Sequence, residues 1–191
     1  MSEEYKSGSI DIILGCMFSG KTTELITRCK KWNAISNNVL CINYTEDKRY
    51  GHDDHIYSHS LDKIKCINVL KLAEISTDTI NSSCVILINE GQFFSDLLEY
   101  CKLWADKFKK HIIVSGLDGD YKREKFGQIL DLIPLCDSVQ KITAYCVKCK
   151  NKNPPIPALF THRISEEQEQ KVIGSSNYVA LCRYHYLEEN K

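Results

Sequence analysis

Three stretches of this chain hold residues whose types and spacing could do chemistry. Residues 15–22 read Gly-Cys-Met-Phe-Ser-Gly-Lys-Thr. Gly15 and Gly20 let the backbone curl so that N–H groups across Cys16, Met17, Phe18 and Ser19 converge on a phosphate. Lys21 then reaches the β- and γ-phosphates, and the Thr22 hydroxyl can meet Mg²⁺. Cys16 and Met17 read as packing residues of the loop rather than chemical groups. The second stretch is Leu87-Ile88-Asn89-Glu90-Gly91-Gln92. Glu90 is a carboxylate placed to accept a proton from an acceptor hydroxyl. A metal-water role and a structural glutamate are its alternatives. Asn89 stands where such strands usually end in a Mg²⁺-binding aspartate, and it offers an amide oxygen without charge.

The third stretch is split. Cys146-Val-Lys-Cys149 and Cys182-Arg-Tyr-His185 have the same internal spacing and lie a few dozen residues apart. Two such pairs are the pattern of a tetrahedral Cys₃His zinc site. A redox pair would not need both halves. A catalytic zinc would leave one position open, and here all four are filled.

These residues need elements to position them. Short β-branched runs at 9–14, 39–43, 64–69, 84–88, 111–115 and 138–143 read as strands. Residues 22–32 read as a helix. Phe94, Leu97, Leu98, Cys101, Trp104, Ala105 and Phe108 recur at three- and four-residue spacing, predicting an amphipathic helix of about 14 residues. Short helical pieces are expected at 70–75 and 129–135, and long loops at 45–60 and 116–127. Strands alternating with helices predict an α/β fold, a parallel sheet with helices on both faces. Glu90 and Lys21 then meet beyond the carboxyl ends of the strands. After Ala144 the character changes: three of the four prolines fall at 154, 155 and 157, and only short elements follow, at 160–164, 171–173 and 178–181. So little apolar mass needs a staple, which zinc supplies. The expected domains are residues 9–144, which bind nucleotide, and 145–191, which bind zinc.

Composition narrows the partners. Lysine plus arginine is 25, aspartate plus glutamate is 25, and the formal charge is zero. That gives no support for a nucleic-acid binder. Glu3 and Glu4 sit where a secretory signal wants positive charge, and no apolar run approaches the roughly 20 residues of a membrane span. A cytoplasmic chain is expected, and its remaining cysteines read as buried thiols.

The segments GCMFSGKT (15–22), DKRY (47–50), NEGQFF (89–94), GLDGDYKREKFG (116–127), CVKC (146–149), FTHR (160–163), VIGSSNY (172–178) and CRYH (182–185) occur in one order across nearly the whole chain. Together they resemble the type II thymidine kinases, small tetrameric zinc-containing enzymes of cells and large DNA viruses. The resemblance implies a P-loop α/β domain and a small zinc-ribbon-like lasso over the nucleoside. It also implies ATP-dependent phosphorylation of thymidine, and of deoxyuridine, with ATP, Mg²⁺ and structural Zn²⁺. Glu90 would be the base, Arg49 would sit near the phosphates, and Asp47 would assist Mg²⁺. Gln92 would lie in or beside the site. Phe94, Tyr121 and Phe126 would wall the base, beside Leu117 and Asp118. Arg163, Val172, Ile173, Gly174 and Tyr178 would bind the nucleoside from the lasso side, with backbone groups at 172–174 bonding the pyrimidine edge. A homotetramer and feedback by thymidine triphosphate are further family expectations.

Three residues depart from the family pattern: Asn89 for an acid, His185 for a cysteine, and Tyr121 where phenylalanine is commoner. Bland readings stand beside several roles. Phe94 and Phe126 could be core, Tyr178 a sheet-face residue and Arg49 a surface ion pair. The five histidines at 52, 55, 59, 111 and 162 read as surface or hydrogen-bonded. The rival functions are a kinase for another nucleoside, a nucleic-acid-dependent NTPase, and a catalytically dead regulatory protein.

Overall fold

The computed structural model describes residues 7–35, 38–46, 54–58, 62–172, 174 and 176–191. In chain order the elements are β1 (Ser9–Gly15), α1 (Lys21–Asn33), β2 (Val39–Tyr44), β3 (His55–Tyr57), β4 (Lys63–Lys65) and β5 (Ile67–Val69). Next come α2 (Thr77–Ser82), β6 (Val85–Ile88), α3 (Leu97–Asp106), β7 (His111–Leu117) and β8 (Ser138–Lys141). The last are β9 (Ala144–Tyr145), β10 (Pro157–Ala158), β11 (Phe160–Arg163), β12 (Tyr178–Leu181) and α4 (Arg183–Glu189). Short 3-10 turns lie at Leu72–Glu74, Gly91–Phe93, Ile129–Leu135 and Val147–Cys149.

Six strands form one sheet in the order β5-β2-β6-β7-β1-β8, and every pairing in it is parallel. Side chains of a strand alternate between faces, and here each face has its own apolar cluster. Ile12, Ile42, Ile86, Ile88 and Val114 point to the face covered by α3. Ile13, Cys41, Val85, Leu87 and Ile113 point to the face covered by α1. All four residues of β6 are buried, which is why the run lacks polar alternation. A third cluster brings Cys16 against Ala144, Cys146, Ala158, Leu181, Cys182 and Tyr186. The chain segments after β8 thus pack directly behind the loop that follows β1.

The expected fold class holds: a largely parallel sheet, helices on both faces, and a Cys/His cluster near the carboxyl end. Details differ for local reasons. The predicted strand 64–69 breaks at Cys66: β4 pairs with β3 in a hairpin, while β5 joins the main sheet. The loop expected at 45–60 therefore contains β3. The helix after β6 is ten residues rather than about 14. The Asp96 carboxylate accepts from the N–H groups of Leu72 and Ala73 (3.2 and 3.0 Å). It thereby ties the helix start to the distant 3-10 turn at Leu72–Glu74. Lys171 and Val172 form no strand. α2 and α4 were too short and polar to stand out; Ser76 caps α2 by accepting from the Thr79 N–H.

Candidate active site

Because the central strands are parallel, their carboxyl ends share one edge. Gly15 lies opposite Leu117 in the β1–β7 register, so the glycine loop starts beside the end of β7. A Cβ on Gly15 would stand 2.3 Å from the Ile142 carbonyl oxygen, so only glycine fits there. Gly20 turns the chain into α1 through a left-handed conformation (φ 88°), which glycine adopts without strain. The first N–H groups of α1 have no partners within the helix and give its start positive character. The loop is braced internally by Ser19 Oγ donating to the Cys16 carbonyl (2.8 Å) and externally by the Met17 N–H donating to Thr161 Oγ1 (3.0 Å). Lys21 Nζ donates to the Cys16 carbonyl (2.7 Å). Cys16 is buried with its thiol toward the Ala158 carbonyl, and burial raises its pKa, as suits a packing residue.

Glu90 follows β6 in a left-handed backbone conformation (φ 54°, ψ 44°), uncommon for a residue with a side chain. Its carboxylate accepts a hydrogen bond from Gln92 Nε2 at 2.6 Å. Gln92 Oε1 in turn accepts from the Leu117 N–H at 3.0 Å. The amide thus bridges the acid to the end of β7. Two glycines make room for it. A Cβ on Gly116 would come within 2.5 Å of Gln92 Oε1, and one on Gly127 within 2.1 Å of the Gln92 carbonyl oxygen.

One cleft joins these parts, enclosing about 840 Å³ with its open mouth included. Met17, Phe18, Gly20, Lys21 and Thr22 line it from the glycine loop. Glu90, Gln92, Leu117, Tyr121 and Phe126 line it from the strand ends and the loop after β7. Arg163, Val172, Gly174 and Tyr178 line it from the carboxy-terminal side. The cleft also takes in five residues that sequence reasoning missed: Thr23, Phe93, Asp120, Thr161 and Gln170. The two-residue alternation of β11 could have found Thr161, since it shares a face with Arg163. Nothing in the sequence marks Gln170.

Gly15, Cys16 and Ser19 shape the glycine loop without lining the cleft, and three further predicted residues lie elsewhere. Phe94 is fully buried in the core, edge-on to Tyr44, and its neighbour Phe93 lines the cleft instead. The 3-10 turn over Gly91–Phe93 makes that exchange, by rotating one ring outward and the next inward. Asp118 pairs with Lys141 at 2.6 Å and does not line the cleft. Asn89 is buried beneath it, donating to Asn43 Oδ1 (2.9 Å) and accepting from Ser115 Oγ (3.1 Å). Its amide is thus engaged in an uncharged chain along the strand ends. Asp47, Arg49, Ile173, His52 and His59 lie outside the described residues.

Arg163 is buried and spans the carboxy-terminal loop. It donates to the carbonyls of Glu167, Glu169 and Gln170 and to the Tyr178 hydroxyl (3.0, 2.6, 3.2 and 2.6 Å). Its guanidinium lies 3.8 Å from the centre of the Tyr121 ring. Gln170 donates to Asp120 (2.7 Å), and the Tyr121 hydroxyl donates to the Gln168 carbonyl (3.0 Å).

Behind the loop lie Cys146, Cys149, Cys182 and His185, whose donor atoms are all within 4.8 Å of one another. His185 Nδ1 is 3.5, 3.4 and 3.3 Å from the three sulfurs, and Cys149 Sγ is 3.9 Å from Cys182 Sγ. A tetrahedron with Zn–S near 2.3 Å and Zn–N near 2.0 Å has edges of about 3.8 Å (S···S) and 3.5 Å (S···N). The four residues fit a zinc ion. Burial disfavours ionising Cys146, yet hydrogen bonds from the Cys182 and Lys148 N–H groups and the neighbouring thiols outweigh it. They bring its pKa down to about 6.

Among the described residues no helix is long and apolar enough to cross a membrane. A family model described as thymidine kinase matches residues 8–186. The thymidine kinase of Yaba monkey tumor virus (strain VR587) is 43% identical over 186 residues, covering 97% of this chain and 98% of that protein. That of Vaccinia virus (strain Western Reserve) is 38% identical over 182 residues, covering 95% and 98%. The cytosolic thymidine kinase of Cricetulus griseus is 37% identical over 184 residues, covering 96% and 75%.

Proposed function

The chain belongs to the thymidine kinase family, and on that premise we propose how its own residues carry out the reaction. It is an ATP-dependent thymidine kinase that transfers the γ-phosphoryl group to the 5′-hydroxyl, giving thymidine 5′-monophosphate and ADP. Deoxyuridine is expected as a second substrate. One observation carries this reading: the phosphate loop, the Glu90 carboxylate and an aromatic wall face a single cleft. A cleft walled by aromatic side chains with a few convergent polar groups suits a small planar base.

In the proposed mechanism, N–H groups of the loop and of the start of α1 hold the nucleotide phosphates. Lys21 leaves the Cys16 carbonyl for the β- and γ-phosphates. Thymidine lies between the Phe93, Tyr121 and Phe126 side and the Val172–Tyr178 side, with its 5′-hydroxyl toward Glu90. Glu90 takes the hydroxyl proton as the oxygen attacks the γ-phosphorus in line, and Gln92 holds the carboxylate in place. Mg²⁺ would offset charge on the phosphates. With the Asn89 amide engaged by Asn43 and Ser115, Thr22 and, as the resemblance implies, Asp47 would be the residues to hold it. Asp47 and Arg49 keep the roles the resemblance implies.

Zinc on the Cys₃His set would hold β9–β12 and α4 together behind the phosphate loop. The division into residues 9–144 and 145–191, the homotetramer and thymidine triphosphate as feedback ligand belong to the same reading. So does a cytoplasmic location, supported by the cytosolic relative. The test is incubation with labelled ATP, Mg²⁺ and a panel of nucleosides. Thymidine monophosphate is the expected product. Phosphorylation confined to another nucleoside, or ATP hydrolysis stimulated by nucleic acid, would overturn the reading.

A further inference from the structure

Most of the bonds described for the strap of residues 166–172 fasten it to one bank of the cleft. Arg163, Asp120 and Tyr121 hold it, and all three stand on β11 or on the loop after β7. Lys171 reaches the other bank. Its Nζ donates to the Tyr44 hydroxyl (2.8 Å) and pairs with the Glu46 carboxylate. It also lies 4.4 Å from the Tyr44 ring centre and 5.4 Å from that of Phe93. Tyr44 ends β2, which the sheet separates from β7 by β6.

We propose that Lys171 is a positioning residue that latches the strap across the cleft onto Tyr44 and Glu46, and so sets thymidine affinity. A half-exposed ion pair alone contributes little. Here the ammonium meets a carboxylate, a phenol oxygen and two ring faces together, and the ring faces add attraction of their own. The latch is also joined to the binding surface. Its neighbours Gln170 and Val172 line the cleft, and so does Phe93. The Phe93 ring packs on Tyr44 (centroids 5.2 Å apart) and edge-on to Phe126 (5.5 Å). Releasing Lys171 would loosen the strap and the aromatic wall at once.

The inference rests on the nucleoside lying beneath the strap, so its test includes a measurement that needs no substrate. Lys171→Glu and Glu46→Lys are each expected to raise the KM for thymidine on the order of three- to tenfold. Saturated kcat and the KM for ATP should stay within about twofold of the parent protein, well short of the tenfold that 1.4 kcal/mol represents. In the unliganded proteins, amide exchange across residues 167–172 should quicken in both single variants. The double variant Lys171→Glu/Glu46→Lys rebuilds the pair with its charges swapped. It should return both KM and exchange part of the way to the parent values, because the pair is restored while the ammonium at 171 that met the two rings is not. Tyr44→Phe, which removes only the hydroxyl, should give a smaller change of the same sign. Single variants that match the parent in both readouts would overturn the latch, and so would a double variant as impaired as the two singles combined. Failure of the parent protein itself to phosphorylate thymidine would instead overturn the nucleoside reading, leaving the exchange result to judge the latch.

Discussion

Glu90 reaches the cleft from a left-handed backbone, and such strain gathers where a side chain must be aimed. Its carboxylate accepts a short bond from Gln92, itself anchored on β7. Two expectations follow at this scale. Glu90→Gln should lower kcat roughly a hundred- to ten-thousandfold, as removal of a general base does, while equilibrium titration finds ATP affinity unchanged. An unaltered kcat would remove the base assignment. Gln92→Leu should lower kcat roughly ten- to a hundredfold, since a hydrogen bond to a charged group is worth about 1.5–3 kcal/mol. Steady-state kinetics with thymidine check it, and a change confined to thermal stability would make Gln92 merely structural. Glu90 itself was legible from its place after an apolar run. Its partnership with Gln92 was not, because the bond depends on the turn between them and on an anchor 25 residues further on.

Among the elements, the 3-10 turn at Gly91–Phe93 has the widest consequence, turning Phe93 toward the cleft and Phe94 into the core. Helical spacing alone treated Phe94 as the first residue of a longer helix stripe. The loop after β7 returns against this turn at Gly127, whose φ is 59° and whose α-carbon faces the Gln92 carbonyl. Gly127→Ala is therefore expected to destabilise the protein by about 2–3 kcal/mol, from strain and displacement together. For a chain of this size the thermal midpoint should fall by roughly 5–10 °C. A melting curve that superposes on the parent's would contradict the close approach. The four central strands β1, β2, β6 and β7 were the easiest elements to read, because burial on both faces leaves largely apolar runs. The β3–β4 hairpin was not, since its short, mixed strands pair with each other rather than with the sheet.

For the whole molecule, the decisive contact is that between the carboxy-terminal segments and the phosphate loop. Cys16 shares an apolar cluster with Cys146 and Cys182, and Met17 is bonded to Thr161. Stripping metal from the Cys₃His set with a chelator should therefore act beyond the carboxy-terminal segments themselves. Amide exchange is expected to quicken in β11 and β12 and also across residues 15–20, and ATP affinity should fall along with thymidine affinity. Unchanged exchange in the phosphate loop after complete metal removal would refute that coupling.

The sequence by itself determined the parallel α/β class, the glycine loop between β1 and α1, and the paired cysteines and histidine of the candidate metal site. Each is written in local spacing: a two-residue or helical period, a glycine interval, a two-residue gap between ligands. The tertiary structure decided which of two adjacent phenylalanines meets the cleft, why Asn89 is engaged with Asn43 and Ser115, and how Lys171 reaches Tyr44. Those outcomes depend on contacts between segments far apart in the chain, and no local pattern encodes such a distance.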